Sequence, residues 1–364
     1  MFGLLRTLKK NVGLRSPSRW KVTGVSVKGP SHEMLDLPCQ DHHSYRADDR
    51  KLVAVVCDGA GSRRHSDFGA KYLSCKLVDA LSEVDTNLCD ASNNVSDFWQ
   101  KEIKSVIQNV RSSIVTDYLS QHGVEPDANI SQPIHDSSRK DNTEEKSGDV
   151  ASITSGYEVD GKLIGTEDTA PHQNSEMSGN GVVADETEPT ITESFSIATN
   201  TETKFVNDTE GPADRSPTLD DFAATMVGVI AQPEGGFFFH IGDGCAVACH
   251  DLEDWGNCTV SDPENGEYAN ETFFFTGGDW DSSHLRFKAF PPAAMILLMS
   301  DGSMPFTMAK GKTSLALGFI PELTSYFREH SEEQGKDVLG EVIGGEQARS
   351  ISSDDKSLVW ALRK

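Results

Sequence analysis

The chain has 364 residues, enough for two average domains or for one large domain with an insertion, and either is long enough to bury a sizeable core. Its 57 Asp and Glu against 33 Lys and Arg give a formal net charge of −24. Such a field repels polyanions, which argues against nucleic acid or an anionic membrane as a partner and makes metal cations the natural counter-charge. No apolar run approaches the ~18 residues of a membrane span. The seven cysteines, Cys39, Cys57, Cys75, Cys89, Cys245, Cys249 and Cys258, are odd in number and lack C-x-x-C spacing, which suits buried thiols in a reducing compartment. Cys245, Cys249 and His250 lack the second ligand pair that a zinc finger requires.

In chain order, residues 1–19 are basic, but their apolar stretch is too short for a secretory signal, and they read as a flexible arm or a weak amphipathic contact. From 20 to 122 the texture is that of a core. "VTGVSV" and "LVAVVC" read as strands, and a helix beginning near Ser66 or Asp67 runs through "SDFGAKYLSCKLVDALSEV". In a second helix, "VSDFWQKEIKSVIQNVRSSIVTDYLS", Phe98, Ile103, Val106, Val110 and Ile114 share one face. Residues 123–216 hold 20 acids against 6 bases and three aromatics. That mix buries too little apolar surface to offset the entropy of ordering, so a disordered acidic insertion is expected, with a short ordered piece around "YEVDGKLIG". Core texture returns at 217. "FAATMVGVIAQ", "GFFFHIG", "CAVACH", "TFFFTGG" and "AAMILLMSDG" read as strands, "SLALGFIPELTSYFREH" and "KDVLGEVIGGEQARS" as helices, and "SLVWALR" as a last strand. Strands grouped with strands and helices with helices predict an α+β fold with antiparallel sheets, and the insertion is expected to interrupt one domain made of 20–122 and 217–364.

Chemistry-bearing residues recur at strand ends. In "VVCDGAGS" Asp58 ends an apolar run and a helix follows, so a hairpin turn does not account for it; a phosphate loop fails too, for want of a Lys-Ser/Thr or a complete G-x-G-x-x-G. "LLMSDGS" repeats the pattern at Asp301, and "SISSDDKSLVW" places Asp354 and Asp355 just before the last strand. "HIGDGCA", with Asp243, reads on its own as a two-residue hairpin turn. Carboxylates gathered from strand ends at one sheet edge repel each other unless a cation sits among them. All-oxygen ligands suit Mg2+ or Mn2+, and a glycine after the acid lets a backbone carbonyl approach.

In order along the chain, "CQD" (39–41), "DGAGS" (58–62), "AAT" (223–225), "GDG" (242–244), "SDGS" (300–303) and "DDKSLV" (354–359) resemble the protein phosphatase 2C family of metal-dependent Ser/Thr phosphatases, in its bacterial form. The resemblance implies a four-layer α-β-β-α sandwich with two central antiparallel sheets and a two-metal centre of Mg2+ or Mn2+ at one edge. It implies Asp58, Asp301 and Asp354 as direct ligands, with Asp355 the rival of Asp354, Gly59 as a carbonyl ligand, and Asp41 acting through a metal-bound water. Asp243 and Asp301 would share a third, weaker metal. Asp41, Asp58, Asp301 and Asp354 are thus the candidate catalytic residues, and a water bridging the metals would attack the phosphorus.

The chain also departs from the family pattern. Gln40 stands where the family often has Glu and is expected to orient water. Ala60 stands where many eukaryotic members have a histidine, so leaving-group protonation falls to a metal-bound water or to His65. The family's phosphate-binding arginine has no counterpart in "KGPSHEMLDLPCQD"; His32 is the candidate replacement, with Arg63 or Arg64 as rivals that are otherwise ordinary solvated charges. The implied activity is hydrolysis of phosphoserine or phosphothreonine in a protein substrate, opposed by a Ser/Thr kinase, in the cytoplasm, with no nucleic-acid partner and no transmembrane segment. A non-catalytic binding module on the same sandwich and a hydrolase of a non-protein phosphoester are the alternatives. Clustered acids argue against the binding module, which would have no reason to tolerate their repulsion.

Overall fold

The computed structural model describes residues 18–84, 95–123, 215–264, 266 and 272–364. The first sheet runs in the order β1 (Trp20–Val27), β10 (Lys356–Arg363), β9 (Met295–Met299), β6 (Cys245–Cys249), β7 (Cys258–Val260). The second runs β2 (Asp41–Ala47), β3 (Leu52–Asp58), β4 (Met226–Gln232), β5 (Gly235–Ile241), β8 (Arg286–Phe290). Every neighbouring pair is antiparallel.

Alternation of side chains explains why the central strands read as unbroken apolar runs: both of their faces are buried. In β3, Val53, Val55 and Cys57 pack with helix α2 (Ser66–Glu83) and helix α3 (Val95–Gln121), while Leu52, Ala54 and Val56 face the other sheet. In β9, Met295, Leu297 and Met299 pack with α5 (Ile320–Glu329) and α6 (Glu332–Gly344), while Ile296 and Leu298 join the layer between the sheets. The result is the expected α+β sandwich of four layers, α-β-β-α. Short helices α1 (Pro30–Met34), α4 (Met304–Thr307) and α7 (Glu346–Ile351) complete the framework. The buried stripe of α3 comprises Trp99, Ile103, Ile107, Val110 and Ile114, with Phe98 and Val106 at its margin.

Several expectations need correction. "IGDGCA" is not a hairpin: β5 and β6 lie in different sheets, and the chain crosses between them at Gly242 and Asp243. "TFFFTGG" (272–278) forms no strand; it folds irregularly so that Phe275 is buried against the α2–α3 layer and Phe273 stacks on His284 at 3.6 Å. "SLALG" precedes α5 and is not helical. Cys249 and Cys258 are not free thiols. They face each other across β6 and β7 and form a disulfide, whereas Cys39, Cys57, Cys75 and Cys245 are free. His250 bonds Thr259 Oγ1 and the Pro292 carbonyl, which leaves nothing of a zinc site around it. Among the described residues no helix is long and apolar enough to cross a membrane. The basic arm as far as residue 17, the acidic stretch 124–214 with its "YEVDGKLIG" piece, and Cys89 lie outside the described residues.

Candidate metal centre

Topology gathers the acids. Asp41 opens β2 and Asp58 closes β3, and antiparallel pairing sets the two directly opposite each other. In the other sheet β9 and β10 are paired up to Met299 and Leu358, so Asp301, just after β9, and Asp354, just before β10, leave from the same end. Asp243 lies in the crossover between the sheets. Ser300 Oγ donates to Asp41 Oδ2 at 2.6 Å and ties the two groups together across the sandwich. Gly59 is required by close approach: a Cβ there would stand 2.7 Å from the Ser66 carbonyl oxygen and 2.9 Å from that of Gln40, and neither backbone can yield.

The electrostatics of these acids are those of mutual repulsion in a dry setting. Burial, and then the charges of Asp41, Asp301 and Asp354, push the Asp58 carboxyl well above the usual carboxylate range. Burial raises Asp41 to about 7 against the bond from Ser300, and burial with the charges of Asp243 and Asp354 raises Asp301 to about 6. Asp243 is also raised, chiefly by burial. Asp41 Oδ1, Asp243 Oδ1, Asp301 Oδ1 and Gln40 Oε1 are buried and have no hydrogen-bond partner. Among the described residues no three His, Cys, Asp or Glu side chains close into a ready coordination sphere. The fit to hard dications therefore rests on the electrostatic coupling of the acids and on these unpartnered oxygens, an all-oxygen donor set without nitrogen or sulfur. Repelling carboxylates relax apart or share protons when no cation holds them.

Asp354 and Asp355 are separated by environment. Asp355 is 1% exposed and both its oxygens are taken: Oδ1 by the Gly29 amide at 2.6 Å, Oδ2 by the Gln40 amide at 2.5 Å and by His32 Nδ1 at 2.8 Å. Asp354 is exposed, and its Oδ1 accepts from the Asp355 amide at 2.8 Å. His32 is thereby pinned beside the acids. Arg63 pairs with Asp220 at 2.8 Å and Arg64 bonds the Arg215 carbonyl at 3.5 Å. His65 sits at the start of α2, packed at a tilt against Tyr118 with ring centres 4.4 Å apart, and burial lowers its pKa.

Two further residues matter here that were not among the predicted site residues. Lys356 is fully buried, its Nζ donating to the Asp354 carbonyl at 2.7 Å, and its charge faces Asp354, Asp355 and Asp41. A lysine at the head of an apolar strand directly after two acids was the available hint. Ser300 hides in "SDGS" as an ordinary small residue.

This sandwich, with its carboxylates at one edge of two stacked sheets, has the architecture that the sequence resemblance implies. The chain belongs to the protein phosphatase 2C family, whose profile matches residues 28–155 and 169–344. It is 28% identical over 145 residues to serine/threonine-protein phosphatase 3 of Escherichia coli (strain K12), a match covering 39% of this chain and 56% of that protein; the chain thus spans little more than half the length of this relative. Among solved structures it resembles serine/threonine phosphatase Stp1 from Staphylococcus aureus, at 10% identity, TM-score 0.45, and 96% and 98% coverage of this chain and that one. It also resembles the catalytic domain of serine threonine protein phosphatase PstP in complex with two manganese ions, at 11% identity, TM-score 0.43, and 94% and 97% coverage.

Proposed function

We propose that this chain is a Mg2+- or Mn2+-dependent protein serine/threonine phosphatase that hydrolyses phosphomonoesters of phosphorylated proteins. The observation that carries the proposal is the convergence of Asp41, Asp58, Asp243, Asp301 and Asp354 at one end of the sandwich, where Asp41, Asp243 and Asp301 each keep a buried oxygen without a partner. Asp58, Asp301 and Asp354, with the Gly59 carbonyl, would hold two ions, and Asp243 with Asp301 a third. Such ions supply a nucleophilic water at neutral pH and neutralise the charge that builds on the phosphoryl oxygens.

The remaining roles belong to the chain's own groups. Asp41 offers Oδ1 as an acceptor that orients a proton-bearing oxygen, because its other oxygen is already bound by Ser300. Buried Lys356 offsets part of the negative charge from behind. Of the three phosphate-binding candidates we favour His32, whose ring is held by Asp355, whereas Arg63 is paired with Asp220 and Arg64 reaches the Arg215 carbonyl. The partners are a phosphoprotein and the Ser/Thr kinase that made it. We place the activity in the cytoplasm, in keeping with the free thiols of Cys39, Cys57, Cys75 and Cys245.

The test is hydrolysis of p-nitrophenyl phosphate and of a phosphothreonine peptide with Mn2+, with Mg2+ and in excess chelator. Turnover of both substrates with either ion, abolished by chelator, is the expected result. Full activity in chelator removes the metal-centred reading, and turnover of the small ester alone removes the protein substrate.

A further inference from the structure

Ser300 is 1% exposed and sits between the last residue of β9 and Asp301. Its backbone amide donates to the Ser357 carbonyl at 3.1 Å, which extends the β9–β10 ladder by one rung. The reciprocal Ser357 amide donates not to a carbonyl but to Ser300 Oγ, at 2.9 Å. A serine hydroxyl has one proton, and an amide N–H can only donate. With Oγ accepting from that amide, the hydroxyl proton is free for its other neighbour, the Asp41 carboxylate, whose Oδ2 lies 2.6 Å away. The backbone thus fixes the direction of the first bond, and ionised Asp41 that of the second. Asp41 Oδ2 is committed to Ser300, and Asp41 Oδ1, buried and without a partner, is the oxygen left for the acid cluster.

We propose that Ser300 is a positioning residue for the phosphatase reaction: it joins the two sheets at the site and determines which oxygen of Asp41 faces the metal centre. The inference rests on the functional reading above. It differs from a purely structural role in one respect. A hydroxyl that only held the sheets together would be felt in thermal melting alone; a hydroxyl that aims the Asp41 carboxylate is felt in Mn2+ binding or kcat, and only while that carboxylate is present.

The experiment is a double-mutant cycle on the full chain with Ser300→Ala and Asp41→Ala. It is read by Mn2+ binding in calorimetry, by kcat and KM on p-nitrophenyl phosphate, and by thermal melting. Ser300→Ala is expected to weaken Mn2+ binding or lower kcat by about 10- to 100-fold, the scale on which outer partners of metal sites act, with KM within about threefold. In the Asp41→Ala background the same change should cost less than about twofold, because coupled residues do not add. Ser300→Thr, which keeps the hydroxyl, should recover most of the loss. Should the alanine variant fail to fold, Ser300→Cys, similar in size but a poor donor, must show the loss instead. Equal losses in both backgrounds, or unchanged Mn2+ binding and kcat beside a lowered melting temperature, overturn the positioning role. A parent protein that neither binds Mn2+ nor turns over substrate overturns the functional reading, and this inference with it.

Discussion

Asp58 and Asp301 are in conflict with their own surroundings, and that makes their substitution informative. Asn at either position removes a charge from a buried, mutually repelling set, so the metal-free fold gains stability while the ligand is lost. Asp58→Asn and Asp301→Asn should each lower phosphatase activity by about a hundredfold or more, a loss at least as large as that from outer partners of metal ligands. Their melting temperatures in chelator should equal or exceed the parent's. Asp243→Asn should be milder. Parent-like turnover in both of the first two variants would show that the centre lies elsewhere. The pH dependence carries the same signature. Asp41 and Asp301, raised to about 7 and about 6 from an ordinary 3.8, keep protons that the unfolded chain has already released. At these two groups the folded protein binds more protons than the unfolded protein between roughly pH 4 and 7, so their contribution to stability falls as pH rises through that window, against the opposite contribution of His43 and His240, which burial lowers to about 4. In chelator the gain in melting temperature from Asp301→Asn over the parent should therefore be larger at pH 8 than at pH 5, and Mn2+ should raise the parent's melting temperature at pH 8 but not the variant's. Asp58, Asp301 and Asp354 were legible in the sequence because each follows or precedes an apolar run, whereas Asp41 was legible only through the family resemblance. Asp355's sequestration and Ser300's grip on Asp41 were not, since both depend on bonds between residues hundreds of positions apart.

At the scale of elements, the strands that the sequence did not announce were β2, β7 and β8, and all three lie at sheet edges. Central strands are buried on both faces and so read as continuous apolar runs, whereas an edge strand such as "DHHSYRA" is only half buried over most of its length and looks like a loop. The irregular "TFFFTGG" shows the converse error, for three aromatics in a row need only a core to fill and no partner strand. Helix α2 shows how packing overrides local propensity at the site's back wall. Gly69, in its first turns, ought to be a weakness relative to Ala by about 1 kcal/mol. A Cβ there would run into the Phe222 backbone, however, in the turn whose neighbours Asp221 and Ala223 accept the His65 and Ala60 amides of the Asp58 loop. Backbone cannot move aside as a side chain can, and overpacking costs typically about 1–3 kcal/mol. Gly69→Ala should thus lower the melting temperature and the activity together; a stabilised, fully active variant would show that this contact yields at little cost.

For the whole molecule the open question is what the acidic stretch contributes. Residues 123–216 hold 20 acids and 6 bases, so fourteen of the 24 excess negative charges belong to a quarter of the chain. A segment so charged and so poor in aromatics has little to bury, and the catalytic sandwich closes its three apolar layers without it. Its flanks are tied into one neighbourhood: His122 stacks on Tyr118, Tyr118 packs at a tilt against His65, and the adjacent Arg64 bonds the Arg215 carbonyl. Loop closure costs only a logarithm of loop length, so a short Gly/Ser linker replacing Pro126 to Pro212 should close the gap with little penalty. The shortened protein should be folded, with a melting temperature within a few degrees of the parent and unchanged kcat/KM on p-nitrophenyl phosphate. Removing those charges should be felt only with a large substrate that presents a basic surface, through a lower association rate that added salt abolishes. Equal salt dependence of the two proteins on a basic phosphoprotein would exclude recruitment by charge. An insoluble product, or resistance of the intact segment to limited proteolysis, would show instead that these residues form a folded part of the enzyme.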